Sequence, residues 1–112
     1  METEFNGIYI SCDGCRFCDD LHRDTDGIIN KYVKKHKSIN VDDIKNDQDK
    51  KLIAYLKPKQ FPTFAVFKKI LLKNVYVGRI IGYNGLKDFL SSLDRIKKHA
   101  EKNDTPLVIG EE

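Results

Sequence analysis

The stretch Phe5-Asn6-Gly7-Ile8-Tyr9-Ile10-Ser11-Cys12-Asp13-Gly14-Cys15-Arg16-Phe17-Cys18 decides how this 112-residue chain is read. Its first half, Phe5 to Ser11, centres on Ile8-Tyr9-Ile10 and predicts a β-strand. Asp13-Gly14 is a turn signal, so a helix should begin close to Cys15. A cysteine at a helix N-terminus meets unpaired backbone N–H groups and a partial positive charge, which favour the thiolate. Arg16 adds a neighbouring positive charge, and Asp19 and Asp20 oppose it. Cys18, one turn on, is placed to attack a mixed disulfide formed at Cys15. A C-x-x-C between a strand and a helix therefore points to thiol–disulfide exchange. Cys12 adds a second, overlapping pair, Cys12/Cys15. With His22 the run becomes C-x-x-C-x-x-C-x-x-x-H, four potential zinc ligands. An iron–sulfur cluster normally takes a fourth cysteine, and the chain has three. The residues alone leave the two pairs and the metal site as alternatives.

Composition narrows the setting. The chain is 40% hydrophobic and 33% charged, the profile of one globular domain. A net charge of +3, with lysines spread along the chain, argues against a nucleic-acid partner. Met1 to Phe5 is acidic and lacks the basic start and apolar core of a signal peptide. No apolar run reaches the roughly 18 residues of a membrane span, so no membrane partner is expected. Clustered cysteines suit local redox or metal chemistry better than a dispersed disulfide framework. The expectation is a cytoplasmic monomer.

Further along, Ile28, Ile29, Tyr32 and Val33 share a helical face that ends in Lys34-Lys35-His36-Lys37. Ser38 to Asp42 alternates polar and apolar and predicts a second strand. Asp49 to Lys57 predicts a short helix, which Pro58 stops. Gln60-Phe61-Pro62-Thr63 is a turn into a strand at Phe64 to Phe67, and Val75 to Ile81 is a further strand, with a hairpin through Lys68 to Asn74 or, alternatively, one strand extended by Ile70-Leu71-Leu72. Leu86, Phe89, Leu90, Leu93 and Ile96 mark a final amphipathic helix to about His99. Residues 1–100 are expected to form the domain, and 101–112 a loosely held polar tail. The order strand, helix, strand, helix, strand, strand, helix predicts an α/β fold, a central mixed four-stranded sheet flanked by helices.

Cys15-Arg16-Phe17-Cys18 after the first strand, with Phe61-Pro62-Thr63 before the third, resembles the thioredoxin superfamily. The resemblance runs roughly from Phe5 to His99. Gly82-Tyr83-Asn84-Gly85 is similar to the family's glycine turn, and Ile39-Asn40-Val41-Asp42 to its second core strand. It implies a thioredoxin-like fold and a thiol–disulfide oxidoreductase. Counted from Ile8-Tyr9-Ile10, Cys15 falls where the family places its nucleophile and Cys12 falls too early. The resemblance thus implies Cys15 and Cys18 as the catalytic pair, with Cys12 as a possible third redox thiol. It implies that Pro62 is a cis-proline and that Phe61 offers backbone bonds to an extended substrate. Arg16, Phe17 and Thr63 complete the expected substrate-binding set. Tyr9 falls near the buried position where thioredoxin keeps an acidic residue. The implied partners are protein disulfides or dithiols and an electron donor that the sequence does not identify. No cofactor is expected, because the sulfurs carry both electrons. The alternative is a zinc-binding or redox-silent thioredoxin-like interaction module built on Cys12, Cys15, Cys18 and His22.

Overall fold

The apolar run Phe5–Ser11 forms strand β1 and pairs on both sides, as its burial on both faces requires. The structure, a computed structural model, describes residues 3–111. After β1 come α1 (Arg16–Thr25), a single 3-10 turn (Ile29–Lys31), β2 (Lys35–Asn40) and α2 (Asp47–Leu56). Then follow β3 (Thr63–Ile70), β4 (Lys73–Ile81), α3 (Leu86–Lys102) and β5 (Leu107–Ile109). The strands lie in the order β2-β1-β3-β4-β5. β1 and β2 are parallel, as are β4 and β5, and the pairs β1–β3 and β3–β4 are antiparallel.

The alternation of each strand sorts its apolar side chains between two layers. Tyr9, Phe64 and Ile80 pack with Leu21 of α1 and Phe89, Leu93 and Ile96 of α3. Ile8, Ile10, Ala65 and Phe67 face the other way, with Ile39 and with Leu56 of α2. Phe64 sits at the centre of the first layer, edge-on to Tyr9 at 4.9 Å and to Phe89 at 5.1 Å. Burying one such ring stabilises the fold by about 1.5–3 kcal/mol.

Three expectations need correction. The sheet has five strands, not four, and the polar end of the chain supplies the fifth. Leu107-Val108-Ile109 is too short to carry a pattern, and it pairs because Gly78 lets it approach. A Cβ on Gly78 would stand 2.3 Å from the Leu107 carbonyl oxygen. Residues 101–102 also belong to α3. Next, the helical piece around Ile28 to Val33 is only the 3-10 turn, which buries Ile29, and Val33 is buried just after it. Finally, Lys35-His36-Lys37, expected to end that helix, opens β2, which stops at Asn40 rather than Asp42. An edge strand tolerates these polar residues because one side of it faces solvent.

Candidate active site

The site begins where β1 ends. Val41 N–H donates to the Ser11 carbonyl at 2.9 Å. Asp13 N–H donates to Asp42 Oδ2 at 2.8 Å, and Asn40 Nδ2 donates to Asp13 Oδ1 at 2.9 Å. These bonds tie the cysteine loop to the end of β2. Gly14 then turns the chain at φ +68°, a conformation open to glycine at little cost, immediately before Cys15.

Cys15 is the N-cap of α1. Its Sγ accepts from Cys18 N–H at 3.2 Å, and its carbonyl accepts from Asp19 N–H at 3.2 Å. Cys15 and Cys18 are joined in a disulfide, with their Cα atoms 5.3 Å apart. Cys15 is half-buried, whereas Cys18 is only 2% exposed. An incoming sulfur can therefore reach the first cysteine and not the second. Arg16 and Phe17 are both exposed beside the pair, Phe17 by 58%. Cys12 is a free thiol, half-buried at the start of the loop.

Pro62 comes to the same end of the sheet. β3 pairs Thr63 with Ile10, so Pro62 lies level with Ser11, one residue before Cys12. The Phe61–Pro62 peptide is cis. The Pro62 carbonyl accepts from Gly82 N–H at 2.8 Å, which fastens the turn after β4 beside it. Of the expected substrate-binding residues, Arg16, Phe17 and Phe61 have exposed or half-buried side chains. Pro62 and Thr63 are fully buried. The Thr63 hydroxyl donates to the Gln60 carbonyl at 2.7 Å and so braces the turn from within.

No protein-family model matches the chain, and neither does any curated protein sequence. Solved structures do. A thioredoxin-fold protein from Helicobacter pylori superposes with a TM-score of 0.70 at 17% identity, over 90% of this chain and 74% of that one. A thioredoxin from Thermus thermophilus gives 0.66 at 17% identity, over 86% and 75%. Thioredoxin F from spinach chloroplast gives 0.61 at 18% identity, over 85% and 78%. The chain has the thioredoxin fold.

Behind the cysteines this thioredoxin fold carries a polar cluster that the sequence reading missed. Tyr9 OH donates to Thr25 Oγ1 at 2.7 Å, and Thr25 in turn donates to the Leu21 carbonyl at 2.7 Å. The His22 ring lies on Tyr9 with centroids 4.4 Å apart, and His36 meets Tyr9 edge-on at 6.0 Å. Burial holds His22 below the usual histidine range; Asp19 opposes that shift and His36 reinforces it. Burial raises the Tyr9 phenol despite its bond to Thr25. Tyr83 OH, in the turn after β4, donates to Asp24 Oδ2, and burial together with that bond pushes Tyr83 well above its usual range. One signal for the cluster was present in the sequence. Leu21, His22 and Thr25 stand three, four and seven residues after Cys18, the spacing of a shared helix face.

The cysteine pair of the zinc alternative is in its oxidised form. Cys15 and Cys18 are bonded to one another, and His22 is stacked on Tyr9. Among the described residues no group of three or more His, Cys, Asp or Glu side chains is placed to hold a metal ion.

Proposed function

We propose that this protein is a thiol–disulfide oxidoreductase acting on protein disulfides through Cys15 and Cys18. The observation that carries the reading is the disulfide between a half-buried helix-capping cysteine and a buried one, level with the Phe61-Pro62 turn.

In the reducing direction the Cys15 thiolate attacks one sulfur of a substrate disulfide. A mixed disulfide forms and the other substrate sulfur leaves as a thiolate. Cys18 loses its proton and attacks Cys15 Sγ. The Cys15–Cys18 bond forms, the mixed disulfide breaks, and the second substrate thiolate leaves. Two electrons pass from the protein to the substrate, and a separate thiol donor must return them. The Cys18 N–H that points at Cys15 Sγ stabilises the attacking thiolate, and α1 adds its positive end. In this reading Phe61 offers backbone bonds to an extended substrate, and Arg16 and Phe17 form the exposed rim. A cytoplasmic setting, where thiols are kept reduced, belongs to the same proposal.

The test is trapping. Cys18→Ser should accumulate a mixed disulfide on Cys15, found by mass spectrometry after alkylation. Cys15→Ser should abolish reduction of a model protein disulfide. Activity that survives Cys15→Ser and dies with Cys12→Ser would overturn the assignment.

A further inference from the structure

We infer that the β3–β4 hairpin tip docks this protein onto the surface of an anionic lipid bilayer. The turn consists of Leu71 and Leu72, between the paired residues Ile70 and Lys73. The two leucines are 90% and 94% exposed. Leu71 also holds φ +57°, a conformation that glycine or asparagine ordinarily takes. Two local rules are thus broken at one turn: an uncovered pair of large apolar side chains, and a bulky residue in the left-handed region. Such joint violations are where function is expected to override stability. Ile70 and Val75, just behind the tip, are 47% and 42% exposed and extend the apolar surface.

The charge around the tip selects the partner. Lys68 and Lys69 precede the turn and Lys73 follows it. β1 starts beside Lys68 and β2 starts at Lys35, so Lys34 and Lys35 join the same end of the sheet. Lys68 Nζ donates to the Ala100 carbonyl, which brings the last turn of α3 and Lys102 there as well. Glu4, 3.9 Å from Lys69, and Glu101 offset part of this charge. The opposite end, around the cysteines, carries Asp13, Asp19, Asp42 and Asp43, offset in part by Arg16 and by Lys45, which pairs with Asp43. The molecule is therefore more basic at the leucine tip than at the dithiol.

A protruding two-residue tip offers little of the flat area that a stable protein interface buries. It suits a bilayer, where leucines enter the boundary with the acyl chains and lysines meet the phosphates. No helix among the described residues is long and apolar enough to cross a membrane, so the contact is with the surface only. The eight residues of β3 separate the tip from Thr63 by roughly 26 Å at strand rise. The docked protein presents Cys15 away from the lipid.

The experiment is co-sedimentation of the whole chain with phosphatidylcholine vesicles, with and without phosphatidylserine. Wild type should bind the phosphatidylserine vesicles and lose that binding as salt rises. Leu71→Asn/Leu72→Ser should bind more than ~tenfold more weakly, since two inserted leucines are removed. Asparagine tolerates the left-handed turn, so the melting temperature of this variant should not fall. Lys73→Glu should also weaken binding. Wild type that stays in the supernatant with both vesicles would overturn the inference. So would a leucine variant that binds as well as wild type, or a tip that instead mediates self-association seen by analytical ultracentrifugation. Disulfide reduction in free solution should be the same in wild type and variant, so this proposal and the proposed activity stand or fall separately.

Discussion

The surroundings of Cys15 come from immediate neighbours: the left-handed Gly14 before it, the Cys18 N–H aimed at its sulfur, and the start of α1. Each lies within three residues, so the place of Cys15 at a helix start was legible in the sequence. His22 was not. The spacing put it on the Cys18 side of a helix, but only the packing of β1 against α1 lays it on Tyr9. Its lowered pKa has a consequence for stability. At pH values below the usual 6.5 the unfolded chain takes up a proton that folded His22 resists, so stability falls as the pH drops through that value. The decline ends once folded His22 is itself protonated. Asp19 on α1, His36 on β2 and Tyr9 on β1 are the groups that face it. The melting temperature of the oxidised protein should drop as the pH falls from about 7.5 through 6.5. His22→Phe should flatten that drop, and an undiminished drop in the variant would remove His22 from the explanation.

Among the elements, α3 stands close to where periodicity predicts it, because it buries an apolar face with a helical repeat, and α1 starts where the Asp13-Gly14 turn signal placed it. The hairpin was legible as a hairpin but not in its register. The expected connection ran from Lys68 to Asn74, whereas both strands continue to Leu71-Leu72. For α2 the decisive residue is Asn46, whose Oδ1 accepts from Asp49 N–H at 2.8 Å. Asn46→Ala should cost about 1 kcal/mol in chemical denaturation. Asn46→Ser should recover most of that loss, since serine caps as well as asparagine. An alanine variant as stable as wild type would show that Asp49, paired with Lys37, holds the start of α2 without the cap.

At the scale of the whole molecule, β5 closes the sheet. It covers the outer edge of β4 along Gly78 to Ile80, and Leu107 and Ile109 pack against the core layer of α1 and α3. A chain ending at Asn103 would bare that edge, which invites pairing with a second copy. Such a truncation should melt at a lower temperature and sediment partly as dimers or larger species. A truncated chain that melts like the full one and stays monomeric would mean that β5 contributes little. By itself, the sequence determined β1, the cysteines at a helix start, and the amphipathic α3. These follow from covalent spacing and from periodicities a few residues long. Only the tertiary structure decided that Pro62 stands level with the cysteine loop, that His22 rests on Tyr9, and that the last apolar residues become a strand. Each of those joins segments far apart in the chain, and strand register and shared burial, not local preference, set their meeting.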